Sequence, residues 1–133
     1  MSWNLADLFE GHADRFPDRL AVVSGDIELT YGQLDDRATR LANHMKSRGV
    51  GAGSHIGLYL YNRHEYLEAM LAAFKLRAVP INLNYRYVAD ELRYVIENAD
   101  LVGILFEPEL ESVVNEALEG NAQCAMRLSL IHI

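Results

Sequence analysis

Cysteine is almost missing from this sequence: Cys124 stands alone among 133 residues. No internal disulfide can form, and a reducing cytoplasm is the compartment such a chain suits. Long hydrophobic runs are missing too. The apolar stretches are far too short to span a bilayer, so no transmembrane segment is expected. The opening "MSWNLADLFEGHADRF" has no basic segment followed by an apolar stretch, so no secretory signal is expected either. Positive charge is scarce: 12 Lys and Arg against 19 Asp and Glu give a formal charge of −7. Phosphate backbones and anionic lipids do not attract such a chain, so no nucleic-acid partner is expected. What remains is ordinary globular composition, 50% hydrophobic and 23% charged, enough for one modest domain. No repeat, low-complexity tract or linker divides it.

Periodicity gives the element order. "NLADLFEGHADRFPD" reads as a helix capped by Asn4, with Leu5, Leu8, Phe9 and Phe16 on one face and Pro17 as its stop. "LAVVSGDIELT" reads as a hairpin turning at Gly25-Asp26. In "TYGQLDDRATRLANHMKSRG", Thr30 and Gln33 have capping-box spacing. Tyr31, Leu34, Ala38, Leu41, Ala42 and Met45 form its apolar stripe, and Gly49 suits a left-handed exit.

"HIGLYLY" reads as a strand. Asn62 then opens the helix "HEYLEAMLAAFKLR", which is apolar around most of its girth and should be deeply buried. "AVPINLN" is strand-like, and "VADELRYVIENAD" is amphipathic through Val88, Leu92, Val95 and Ile96. "LVGILF" is continuously apolar, as a strand covered on both faces should be. Pro108 suits the start of a helix that ends at Gly120. The alternation from His55 onward predicts an α/β fold, a parallel sheet covered by helices.

Motifs that would carry chemistry are few. "GVGAGSHIG" follows a helix and precedes a strand, the reverse of a phosphate cradle, so it reads as a helix exit and turn. His64 and Glu65 begin a zinc-protease-like string, but Glu68 stands where its second histidine should be. Asp35-Asp36, and likewise Glu107, Glu109 and Glu111, read as solvated surface rather than a catalytic pair. Cys124 has no neighbour to activate it and reads as a small buried residue. "PINLNYRYVADEL" asks for more. It follows a strand, and ligands gather at carboxyl ends of strands. Asn82, Asn84, Tyr85, Arg86 and Tyr87 cluster there, and a turn with packed tyrosines and a paired arginine is favoured over direct ligand contact.

Taken together, these stretches resemble the opening of adenylate-forming enzymes: acyl-CoA synthetases, adenylation domains of peptide synthetases and luciferase-like ligases. The resemblance runs from about Trp3 to about Leu118. It rests on Thr30-Tyr31 with Leu34, the "RGVGAG" turn, Asn62 with Glu65, and Lys75 with Ala78-Val79-Pro80. "PINLNYRYVADELRY" is most similar to acyl-CoA synthetases for fatty acids or related long acids such as steroid side chains. Many relatives have Ala-Gly where this chain has Leu76-Arg77, and a proline where it has Tyr61.

The resemblance implies a two-step ligase. A carboxylate attacks the α-phosphate of ATP, with magnesium, giving an acyl-adenylate and pyrophosphate; coenzyme A then displaces AMP. In the family this work falls to a Ser/Thr/Gly-rich phosphate loop, an aromatic-Gly-x-Thr-Glu segment, a ribose-binding aspartate and a lysine on a mobile C-terminal domain. This sequence contains no such loop and no Thr-Glu dipeptide. No catalytic, cofactor-binding or metal residue is therefore carried over. ATP, Mg2+ and coenzyme A are implied for a longer parent only.

The chain is then expected to be residues 1–127 of the large N-terminal domain, truncated, with 128–133 a non-native tail. A back-translation of Leu128-Ser129-Leu130-Ile131-His132-Ile133 matches the end of a transposon-based sequencing adapter, so His132 is discounted as a ligand. Two alternatives stand beside this reading: another adenylate-former for amino or aryl acids, and a complete small α/β binding module without catalysis. A homodimer is left open.

Overall fold

The computed structural model describes residues 4–130; Trp3 and His132 lie outside the described residues. Helix α1 (Leu5–Arg15) starts at an Asn4 cap whose side chain accepts from Ala6 N–H, while Asp7 accepts from Asn4 N–H in return. It buries Ala6 and Ala13 rather than the expected leucines, for Leu5 and Leu8 are more than half exposed. Small side chains let α1 lie close against its neighbours, and the leucines fall on the outer side. Strands β1 (Leu20–Ser24) and β2 (Ile27–Thr30) form the expected hairpin, with Gly25 at φ +59° in its turn. Helix α2 (Tyr31–Ser47) has the Thr30–Gln33 capping box, and Gly49 takes φ +95° beyond its end.

The rest alternates as the periodicity predicts. It runs β3 (His55–Tyr59), α3 (His64–Lys75), β4 (Val79–Asn82), α4 (Ala89–Asn98), β5 (Gly103–Phe106), a 3-10 turn at Pro108–Leu110, α5 (Glu111–Ala117) and β6 (Met126–Ser129). The four strands pair in parallel in the order β4-β3-β5-β6. Ile56, Leu58 and Leu60 meet α2 and α3 on one face, with Leu105, Met126 and Leu128. Tyr59, Ile104 and Phe106 meet α4 and α5 on the other. Gly57 points to this second face, where an added Cβ would lie 2.7 Å from methyls of both Leu83 and Leu101.

Three details depart from expectation, and a fourth bears on the tail. Helix α3 starts one residue later, with Arg63 at its cap and no capping side chain; Asn62 is exposed. Val88 caps α4 with its side chain 60% exposed, and its N–H goes to Glu91 at 3.1 Å. The segment from Pro108 is a 3-10 turn followed by a short helix, with Gly120 at φ +75° after it. Strand β6 includes Leu128 and Ser129, which lie in the segment expected to be foreign. Helix α3 itself is as deeply covered as its sequence implies: none of its residues is exposed.

Candidate functional site

The strand order reverses between β3 and β5. The chain leaves β3 towards one face and β5 towards the other, so their carboxyl ends diverge around a crevice. Ligands of open parallel sheets gather at this position. Here the crevice is closed by a carboxylate. Glu107 is the first residue past β5, and its side chain is fully buried. Its Oε2 accepts from Tyr61 N–H at 2.9 Å, and its Oε1 is paired with the Arg63 guanidinium. Two donors thus satisfy a charge whose burial alone would cost several kcal/mol. This corrects the solvated-surface reading of Glu107.

A row of guanidiniums and rings lines the mouth of the crevice. Arg63 lies 5.8 Å from the Tyr61 ring centre, Tyr61 meets Tyr85 edge-on at 5.2 Å, and Arg86 lies 5.4 Å from Tyr85. Tyr85 and Arg86 therefore join Tyr61 and Arg63, which no local pattern ties to them. Asn84 turns the chain by accepting from Arg86 N–H at 2.9 Å, as the turn reading implies. Arg86 sits on a ring rather than beside a carboxylate. Asn82 accepts from the Tyr66 hydroxyl. Beneath the row, the buried Tyr59 hydroxyl donates to the Tyr87 carbonyl at 2.7 Å. Burial pushes the Tyr59 and Tyr66 phenols above their usual value, and Tyr61 and Glu91 add to the rise at Tyr59. Neither phenol supplies a proton near neutral pH.

A second polar cluster lies where α2 crosses α3. Glu68, 1% exposed, accepts from Arg37 Nε at 2.9 Å and meets His64 Nδ1 at 2.5 Å. His64 Nε2 stands 2.9 Å from Glu65 Oε1, an atom that is buried without an aligned hydrogen bond. Both ring nitrogens of His64 therefore face carboxylate oxygens of its own helix. Among the described residues no three His, Cys, Asp or Glu side chains are arranged to hold a metal. Asp35, read from sequence as solvated, instead pairs with Lys75 at 2.7 Å, while Asp36 pairs with Arg40 on the surface. Burial pushes the Cys124 thiol up to about 11, against the opposing charge of Arg127, so it is no nucleophile near neutrality. The glycine turn lies at the amino end of β3, away from the crevice. Its Gly51 N–H is taken by Ser54 and its Gly53 N–H by the Arg77 carbonyl.

Sequence reasoning missed Glu107, Arg63 and Glu68. A signal did exist for Glu107: an acid directly after a fully apolar parallel strand stands at a buried edge. For Glu68 it was an acid inside a helix otherwise apolar around its girth. Chemically, the site can bind and orient planar or charged groups. It holds no activated nucleophile and no phosphate cradle among the described residues.

Comparison with known proteins adds the lineage. The family model described as AMP-binding enzyme matches residues 9–131. The chain is 44% identical over 118 residues to a 3-oxocholest-4-en-26-oate–CoA ligase of Rhodococcus rhodochrous, covering 89% of this chain and 21% of that protein. It is 48% identical over 104 residues to a medium/long-chain-fatty-acid–CoA/3-oxocholest-4-en-26-oate–CoA ligase of Mycobacterium tuberculosis, covering 78% of this chain and 19% of that one. A solved Mycobacterium tuberculosis fatty acyl CoA synthetase superposes with a TM-score of 0.88 at 22% identity, over 96% of this chain and 26% of the other. The chain thus spans about a fifth of the length of the curated relatives it matches.

Proposed function

Because the chain belongs to the family of AMP-binding enzymes, we propose that it forms the first part of the large domain of an ATP-dependent acyl-CoA ligase. The parent would join a carboxylic acid to ATP, releasing pyrophosphate, and then pass the acyl group from AMP to coenzyme A. A fatty acid or a steroid side-chain acid is the substrate class that suits it. The observation that carries this reading is the 44% identity over 118 residues to a ligase named for such an acid. A cytoplasmic location goes with this reading.

Within the parent, this chain's part is structural. Carboxylate and phosphates repel each other, so the reaction needs clamped phosphates and fixed positive charge. The described residues do not fit that task. The glycine turn has its N–H groups engaged at the wrong end of β3, and Arg63 at the crevice is already committed to Glu107. No step is therefore assigned to a side chain of residues 1–127. The Glu107–Arg63–Tyr61 cluster would hold the two halves of the sheet in register for parts supplied elsewhere.

The boundary at 127/128 belongs to the same proposal. Position 128 faces the core, so any apolar residue there completes β6, whatever its origin. Two experiments test the reading. Palmitate-dependent ATP–pyrophosphate exchange by the 133-residue chain should stay at background. Exchange above background that is lost with Arg86→Ala would place chemistry at the crevice and overturn it. The source gene should continue in frame past codon 127 into a Ser/Thr/Gly-rich phosphate loop. A stop codon there would instead favour the small binding module.

A further inference from the structure

Charge is divided unevenly along the chain. Residues 1–87 carry equal numbers of acids and bases, so the whole formal charge of −7 falls in residues 88–133. On the solvent side of α4 this acidic half meets an apolar groove of about 470 Å3, lined by Tyr87, Asp90, Glu91, Tyr94 and Val95. Tyr94 is 69% exposed and Val88, at the head of the helix, 60%. Tyr87 and Val95 lean on the core beside Leu92 and Ile96, whereas Val88 and the Tyr94 ring are left open to solvent. The one base on the helix, Arg93, is turned away to the carbonyls of Glu116 and Ala117. Asp90 and Glu97 meet no cation among the described residues.

We propose that this groove docks a lysine- or arginine-bearing segment of a protein partner. The occupant follows from complementarity. A long cationic side chain lays its methylenes on Tyr87, Tyr94 and Val95 and brings its head to Asp90 and Glu91, with Glu97 about two turns on. Exposed tyrosine amid acids supplies the anchor that such interfaces use, and the surrounding negative field draws a basic segment in. An acidic segment or a nucleic acid would be repelled by the same field. This goes beyond the ligase reading and stands without it.

The test uses the chain itself, isotope-labelled, titrated with a short oligolysine peptide and with oligoglutamate as control. Amide shifts should centre on residues 87–97 with oligolysine only, and binding should weaken as salt rises. Tyr94→Ala should weaken it about tenfold and Asp90→Asn severalfold. Both positions are exposed, so unchanged thermal unfolding will show that the variants fold. Equal binding by Tyr94→Ala, or shifts spread evenly over Glu109, Glu111, Glu116 and Glu119, would overturn the proposal by showing a diffuse counterion effect.

Discussion

On the α2–α3 side of the sheet, charged side chains cross between elements. Arg37 on α2 reaches Glu68 on α3; Lys75 on α3 holds both Glu10 on α1 and Asp35 on α2; Arg77 reaches back to Asp7. On the α4–α5 side, the link between helices is Arg93 reaching carbonyls, and the packing is Leu92, Ile96, Val114, Ala117 and Leu118 against Ile104 and Phe106. The difference follows from depth. Helix α3 has the sheet beneath it and is flanked by α1, α2 and the β1–β2 hairpin, so polar groups on its outer side cannot reach water freely and must find partners. Helices α4 and α5 have solvent outside, and their acids are exposed and form no ion pair among the described residues. Ion pairs therefore accumulate where helices crowd against one another.

The largest way to break this contrast is on the α4–α5 side. Ile104→Ala removes a fully buried side chain between β5 and α4, and should cost about 2–5 kcal/mol in urea unfolding, insensitive to salt. A cost under about 1 kcal/mol would mean that this face is not close-packed. On the α2–α3 side, Glu68→Ala strands Arg37 and His64 and should cost about 2 kcal/mol. Glu68→Leu should recover part of that, because an apolar replacement fills the space. If Leu is worse than Ala, the pairing itself stabilises the fold.

Lysine titration sharpens the comparison next. Burial lowers the Lys75 value, but hydrogen bonds and charge from Asp35 and Glu10 outweigh it, leaving the amine above its ordinary 10.5. A raised folded value means its contribution is fully present below 10.5 and is lost as pH rises through the folded value. The stability gap between the native chain and Lys75→Met should therefore be flat up to about pH 10 and narrow above it. A gap that widens with alkali would reverse the sign.

The smallest effect is expected at Arg77. It takes φ +59°, the region that favours glycine, and its guanidinium pairs with Asp7 at 2.8 Å, both side chains 38% exposed. Arg77→Gly relieves about 1 kcal/mol of backbone strain and gives up a pair worth about as much. Net stability should change by under about 1 kcal/mol. A much larger loss would show that the pair fastens α1 more firmly than an exposed contact should.

Most of the scaffold was legible before any coordinates. The Thr30–Gln33 spacing, the continuous run at "GILF" and the stripe through Leu34, Leu41 and Met45 each express local geometry, and local geometry is written in neighbouring residues. The site was less legible. Tyr61, Tyr85, Arg63 and Glu107 come from three separate connections, and only the parallel pairing of β3 with β4 and β5 brings them together. Glu107 looked like surface because three acids in alternation beside a proline are normally solvated; its burial depends on Arg63, over forty residues away. Leu5 and Leu8 looked like core because periodicity reports a helical face and not what lies opposite it.

By itself, then, the sequence determined the order and type of the elements, the parallel sheet they imply and the family resemblance that the comparisons support. These rest on period, capping and turn chemistry, which act over a few residues. Tertiary structure alone decided which charges are buried, which tyrosines meet and which face of α4 is left open. Those outcomes depend on the dielectric and partners that distant segments supply, and no window of the sequence contains both sides of such a contact.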